Sequence, residues 1–241
     1  MSNVWPEFKG KRVLVTGGSQ GIGLATAQAF QRSGATVFVT GTRAEAGDYA
    51  DDLSAFTYVQ ADFSKPGAGA LVAKAVGALD VLVNNAGTGR PDEYSDEGFR
   101  FVVEVNLNSV MELSRELHPA LKESKGAIIN IGSLASFLAL RETPAYTASK
   151  AALLGLTRAL ADKWAPDGIR VNMVAPGFIR TRMTEIQRTD AEYEKRLLKA
   201  IPARRWGEPE EVAEVILFLA SPRAPYVTGQ SLAIDGGLML R

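Results

Sequence analysis

Tyr146 and Lys150 stand four residues apart in a stretch with helical spacing, Ala145 to Trp164, so both project from one face about a turn apart. A phenol with an ordinary pKa near ~10 is a poor base at neutral pH, but a neighbouring ammonium favours the phenolate and brings it toward the working range. The pair can then give and take a proton. Because such pairs also occur on exposed helix faces, what stands near them matters. Ser133 lies just past the apolar run Ala127 to Ile131, at a strand end where open parallel sheets place their ligands, and its hydroxyl could hold a substrate oxygen beside the phenol. Asn106 is polar where a buried helix would carry an apolar residue; it either serves the site or satisfies nearby backbone groups.

A second group, Thr16-Gly17-Gly18-Ser19-Gln20-Gly21-Ile22-Gly23, follows the first β-branched run and leads into an alanine-rich helix. Glycines there permit a tight turn, close backbone approach to a pyrophosphate and helix-on-strand packing, with free N–H groups and the helix dipole facing the phosphates. The spacing of Gly17, Gly21 and Gly23 differs from the general G-x-G-x-x-G fingerprint. A structural turn with spare glycines is one alternative. Another is the G-x-S-x-G elbow of serine hydrolases, with Ser19 as nucleophile. It needs a histidine base from a late loop, and the one histidine, His118, precedes Pro119 near the end of a long helical stretch.

The elements that must position these groups alternate in kind. Short β-branched runs at Arg12 to Thr16, Thr36 to Gly41, Phe56 to Gln60, Val81 to Asn84, Ala127 to Ile131, Arg170 to Val174 and Ser231 to Ile234 predict seven strands. Helical patterns fall at Ile22 to Ser33, Gly67 to Val76, Gly98 to Leu121, Ala145 to Trp164 and Pro209 to Ala220, with Pro144 and Pro209 placed to open theirs. This is the pattern of a βαβ series and a parallel sheet in one domain spanning 1–241. The segment 182–207 breaks the alternation with charged residues around an apolar stripe of Tyr193, Leu197, Leu198 and Ile201; a mobile flap over substrate and a packed surface helix both fit it.

With 27 basic residues against 27 acidic ones, no net field draws the chain to nucleic acid or an anionic membrane. The expected partners are a small-molecule carbonyl or alcohol substrate and copies of the chain itself. The absence of cysteine removes disulfides, thiolate metal sites and cysteine nucleophiles, and no metal site is expected. No apolar run approaches the roughly 18 residues of a membrane span, so a cytoplasmic location is expected.

Together, Thr16-Gly17-x-x-x-Gly21-x-Gly23, Asn84-Asn85-Ala86-Gly87, Asn106, Ser133, the Tyr146–Lys150 pair and Pro176-Gly177 with Thr181 resemble the short-chain dehydrogenase/reductase superfamily, in its single-domain branch that includes 3-oxoacyl carrier-protein reductases. The resemblance implies an α/β fold of Rossmann type, a doubly wound parallel seven-stranded sheet flanked by helices on both faces. It implies hydride transfer between a nicotinamide dinucleotide and a carbonyl or secondary alcohol carbon. Tyr146 is then the acid/base, Ser133 polarises the substrate oxygen, Lys150 holds the nicotinamide ribose and lowers the tyrosine pKa, and Asn106 secures a water that relays protons. The cofactor would be held by Gly17, Ser19, Gln20, Gly21, Ile22 and Gly23 at the phosphates. Asp62 and Phe63 would meet the adenine, Asn85, Ala86 and Gly87 would line the cleft, and Pro176, Gly177, Ile179 and Thr181 would lie at the carboxamide. Enoyl reductases of this fold separate tyrosine and lysine by a longer interval, which favours C–O over C=C chemistry here.

Cofactor choice turns on Val39-Thr40-Gly41-Thr42-Arg43, where an acid would bond the ribose hydroxyls of NAD and repel a 2′-phosphate. Gly41 stands where the family's NAD users carry aspartate, and Thr42 with Arg43 can meet a phosphate, so NADP is favoured over NAD, although Gln20 is not the basic residue many NADP users place in the glycine loop. The resemblance further implies a homotetramer built on the two long helices and the last strand. Leu134, Phe137, Leu138 and Leu140 suggest an apolar substrate pocket, with Arg141 or Arg182 available to an anion. A dinucleotide sensor without catalysis is the remaining alternative; it would have lost catalytic residues, and all are present.

Overall fold

Parallel strands covered on both faces must be apolar at almost every position; the runs inside the sheet satisfy this, and the two edge runs are only partly buried. In the computed structural model, which describes residues 5–240, they become β1 (Arg12–Val15), β2 (Thr36–Gly41), β3 (Thr57–Gln60), β4 (Val81–Asn84), β5 (Ala127–Ile131), β6 (Arg170–Pro176) and β7 (Ser231–Ile234). They form one parallel sheet in the order β3-β2-β1-β4-β5-β6-β7. The chain runs outward from β1 to β3, then crosses back to β4 and runs the other way. The order therefore reverses between β1 and β4, which opens a crevice at the carboxyl ends of those strands.

The helices are α1 (Gly21–Arg32), α2 (Ala68–Val76), α3 (Asp96–Val103), α4 (Ser109–Ser124), α5 (Pro144–Trp164), α6 (Glu185–Thr189), α7 (Ala191–Ala200) and α8 (Pro209–Ala220). Strand residues alternate between two cores. Val13 and Val15 meet Phe30 of α1 and Ile216 of α8 on one face, while Leu14, between them, joins Val72 of α2, Leu117 of α4 and Leu160 of α5 on the other. Pro144 and Pro209 occupy the first turns of α5 and α8, as expected.

One expectation about the helices needs correction. The stretch read as one helix from Gly98 to Leu121 is α3 and α4 joined by a π-helical turn, Glu104–Asn108, and α4 continues through Pro119 to Ser124. A π turn adds one residue without changing composition, so helical spacing does not reveal it. In the segment 182–207, a 3-10 turn (Arg182–Thr184) leads into α6 and α7, and Tyr193, Leu197, Leu198 and Ile201 pack with Phe178, Trp206 and Leu238 in a small core of their own.

Candidate active site

The crevice is a cleft of about 450 Å³ running from the start of α1 to the start of α5. At one end Thr16 and Asn85 tie β1 to β4. The Thr16 hydroxyl accepts the N–H groups of Asn85 and Ala86 at 3.0 and 2.9 Å, while the Asn85 amide donates to the carbonyls of Thr16 and Gly17 at 2.9 and 3.0 Å. The turn so fixed leaves no room for a side chain at Gly23, where a Cβ would lie 3.0 Å from the Gly17 carbonyl carbon and nearer still to its oxygen. Gly21 has φ +56°, a conformation that glycine adopts without strain. Gln20, the residue before α1, makes no side-chain cap, so the first N–H groups of the helix are left to whatever enters the cleft. A cradle of backbone donors without side chains fits a diphosphate.

Gly17, Ser19, Gln20, Gly21, Ile22 and Gly23 all line this end. Thr42, Asp62 and Phe63 line the wall formed by the ends of β2 and β3, and Asn85 to Gly87 line the floor. Pro176, Gly177, Ile179 and Thr181 stand opposite. Hydrogen bonds from Ser64 hold the Asp62 carboxyl below its ordinary pKa. Arg43 does not line the cleft; its guanidinium lies 4.8 Å from the centre of the Tyr49 ring. The side chains of Gln20 and Arg182 meet at 3.3 Å, joining the glycine turn to the start of the 182–207 segment.

At the other end stand Ser133, Tyr146 and Lys150. Ser133 caps a short 3-10 turn after β5; its hydroxyl accepts the Ala135 N–H at 3.1 Å and shares this end of the cleft with the Tyr146 phenol. Lys150 is 4% exposed; its ammonium donates to the Ile131 carbonyl at 2.7 Å and lies 5.6 Å from the centre of the Tyr146 ring. Burial lowers the ammonium to a pKa of about 8. The phenol departs from expectation. Burial raises it above its ordinary value, the Ser133 hydroxyl pulls it down and the Glu93 carboxylate pushes it up. Burial penalises both charged forms here, the phenolate as well as the ammonium.

Asn106 lies behind the cleft, on the π turn. Its amide oxygen accepts the Thr88 N–H at 2.8 Å, and its amide nitrogen donates to the Thr88 carbonyl at 2.9 Å and the Ser149 hydroxyl at 3.1 Å. Both of its donors are spent on protein groups. A Cβ at Gly87 would stand 3.4 Å from both Asn106 Oδ1 and Lys150 Nζ, so these two residues converge on one point of the floor.

Leu134, expected in an apolar pocket, is buried against the Gly177 loop instead, while Phe137, Leu138 and Leu140 are half-exposed. Tyr94, on the loop after β4, donates its hydroxyl to the Arg141 carbonyl at 2.7 Å, joining the two loops at this end. His118 is far from a hydrolase base: its Nε2 pairs with Asp167 at 2.9 Å and its ring packs on Trp164. Two residues went unread in the sequence. Glu93 sits in a polar run that resembles solvated loop, and Tyr49 follows a turn with no periodic pattern; only the glycine at position 41, needing a neighbour to fill its space, hinted at the second.

A glycine-lined diphosphate cradle joined to a Ser–Tyr–Lys group by one cleft defines a dinucleotide-dependent oxidoreductase. The chain belongs to the short-chain dehydrogenase/reductase superfamily. Residues 17–239 match a family model described as enoyl-(acyl carrier protein) reductase. The chain is 39% identical to a 2-dehydro-3-deoxy-D-gluconate 5-dehydrogenase of Bacillus subtilis, over 97% of this chain and 96% of that one. It is 37% identical to a 3-oxoacyl-(acyl-carrier-protein) reductase of Vibrio cholerae, over 97% and 99%. The solved Pseudomonas aeruginosa RhlG/NADP active-site complex superposes with a TM-score of 0.88 at 36% identity, covering 98% of this chain and 99% of that one.

Proposed function

We propose that the protein interconverts a carbonyl and a secondary alcohol, with Tyr146 giving the proton to the substrate oxygen in reduction and taking it in oxidation. The observation that carries this reading is that Ser133, Tyr146 and Lys150 stand together at the end of a cleft that begins in a diphosphate cradle. A nicotinamide dinucleotide, when bound, supplies or accepts the hydride. Ser133 and Tyr146 would hold the substrate oxygen between two hydroxyls, so that charge developing on it meets donors already in place. Lys150 would hold the nicotinamide ribose. Asn106 would act by fixing the Thr88 backbone and the Ser149 hydroxyl, with the free lone pair of its oxygen available to a water. The relatives named as a 2-dehydro-3-deoxy-D-gluconate 5-dehydrogenase and a 3-oxoacyl-(acyl-carrier-protein) reductase support C–O chemistry over reduction of a C=C bond.

NADP is the proposed cofactor, on the ground that no acid ends β2, that Arg43 follows two residues after its last glycine, and that the Pseudomonas relative carries NADP. The 182–207 segment, tied to Gln20 through Arg182, would close over the substrate. A homotetramer is supported by two unpaired surfaces. Ala148, Ala151, Ala152, Gly155 and Ala159 make an exposed small-residue face on α5, and β7 ends the sheet with Leu232 and Ala233 exposed. Light scattering at micromolar concentration tests the assembly, and a monomer mass rejects it.

The deciding experiment follows NADPH and NADH absorbance against ketones and 3-oxoacyl thioesters, with wild type and Tyr146→Phe. Turnover should fall by roughly 10²–10⁴ in the variant while the dinucleotide dissociation constant stays within a factor of a few. Undiminished turnover rejects the assignment of Tyr146. Binding of both dinucleotides without turnover of any substrate would favour a sensor.

A further inference from the structure

The end of β2 is closed by two tyrosines. The chain leaves Gly41, passes Thr42 and Arg43, makes a short 3-10 turn (Ala46–Asp48) held by a Glu45–Asp48 capping box, and brings Tyr49 back against the strand end. A Cβ at Gly41 would lie 2.8 Å from Tyr49 Cζ and closer still to its oxygen. Tyr49 thus fills the space a side chain at position 41 would need. Tyr58, on β3 beside β2, completes the pair, with ring centres 5.9 Å apart.

Both tyrosines are spent on Arg43. Its backbone N–H donates to the Tyr49 oxygen at 3.1 Å, its carbonyl accepts the Tyr58 hydroxyl at 2.6 Å, and its guanidinium lies over the Tyr49 ring. The Tyr58 proton is therefore engaged. Beyond the Arg43 N–H, the Tyr49 oxygen has the Tyr58 oxygen at 3.4 Å, a long contact, and the hydroxyls of Ser19 and Thr42 beside it, with which it lines the cleft. A phenol whose proton is held by no short bond, beside two further hydroxyls and a guanidinium, offers donors and no carboxylate. Donors suit a phosphate monoester on the adenosine ribose, whereas a bare ribose diol is best read by a carboxylate acceptor.

We propose that Tyr49 is the specificity-determining residue for the dinucleotide: it occupies the space an acidic side chain at position 41 would take, holds Arg43 against the strand end, and donates to a 2′-phosphate. The inference rests on the NADP reading above and adds the residue that enforces it. Exclusion of NAD then comes from a filled volume as well as from the missing acid.

Fluorescence titration with NADPH and NADH, which needs no turnover, tests this on wild type, Tyr49→Phe, Gly41→Asp and Gly41→Asp/Tyr49→Ala, each checked by a circular-dichroism melt. Tyr49→Phe should weaken NADPH about tenfold and NADH less than about twofold, as for loss of one hydrogen bond to a charged group. Gly41→Asp alone should weaken both ligands, because the aspartate must push the Tyr49 ring off Arg43. The double variant should bind NADH at least about tenfold more tightly than Gly41→Asp does. A Tyr49→Phe ratio within twofold of wild type, or tight NADH binding by Gly41→Asp alone, overturns the inference. If wild type binds both dinucleotides equally, the NADP reading fails, and the Gly41→Asp pair still decides whether Tyr49 excludes the acid. If Gly41→Asp does not fold, Tyr49→Phe decides alone.

Discussion

The carboxylate of Glu93 accepts the backbone N–H of Tyr146 at 2.8 Å, and its other oxygen accepts that of Arg90 at 3.1 Å. Only 1% of the residue is exposed. Tyr146 lies in the first turn of α5, where N–H groups have no partner inside the helix and negative charge is favoured by the dipole. Glu93 therefore anchors the loop after β4 to the catalytic helix at the residue that does the chemistry. Its charge also faces the phenol and pushes its pKa up.

Glu93→Gln should separate these two effects. In alcohol oxidation the phenolate is the reactive form, so the rate climbs as pH rises through the phenol's pKa. Removing a charge that raises this pKa should move the climbing limb of the kcat profile to lower pH. Both carboxylate oxygens are in use, so the amide must turn its NH₂ toward one N–H donor, and stability should fall by about 1–3 kcal/mol. An unmoved limb would show that the charge is not felt at the phenol.

Lys150 predicts a dependence of stability on pH. Its folded pKa of about 8 lies below the ordinary 10.5, so between those values the unfolded chain binds the extra proton and stability rises with pH. The gain across that window is on the order of 3 kcal/mol. Thermal melts from pH 7.5 to 10.5 should show a steeper rise, or shallower fall, for wild type than for Lys150→Met. Parallel curves for the two proteins would mean that the ammonium is not destabilised by burial.

The strands were legible because burial on both faces demands β-branched runs, and the starts of α5 and α8 because proline marks a first turn. The Tyr146–Lys150 geometry followed from helical spacing, and it holds. What composition cannot encode is direction. That the Lys150 ammonium turns to the Ile131 carbonyl, that Leu134 points inward beside exposed Phe137, and that Glu93 folds under the catalytic helix are decided by loops. Tyr49 escapes for the same reason, since its meaning depends on Gly41, eight positions earlier, having no side chain.

Gly23→Ala tests the diphosphate cradle. Its Cβ would press on the Gly17 carbonyl, which is backbone held by the Asn85 amide and cannot swing aside. The start of α1 must then lift from the turn, at a cost of about 1–3 kcal/mol typical of overpacking. Titration should show dinucleotide affinity falling by more than about tenfold, in step with the melting temperature. Gly47→Ala, whose Cβ would meet nothing within 4 Å, should change neither. Equal behaviour of the two variants would remove the steric account of the glycine turn.

Asn106 supports the site through a chain of bonds: Thr88 backbone to Asn106, Asn106 to the Ser149 hydroxyl, and that hydroxyl to the Tyr146 carbonyl at 2.8 Å. Asn106→Asp keeps size and shape but sets an oxygen against the Thr88 carbonyl where an NH₂ had donated. The repulsion, together with burial, should raise the new carboxyl's pKa, because the protonated acid can restore one donor. A group whose folded pKa lies above its unfolded value stabilises as pH falls through it. The melting temperature of Asn106→Asp should therefore lie well below wild type at pH 7.5 and approach it near pH 5. Asn106→Ala, with no donor to recover, should stay low at both. If Asn106→Asp melts like wild type at pH 7.5, the Thr88 carbonyl does not depend on the Asn106 amide, and Asn106 is not what holds this loop to the catalytic helix.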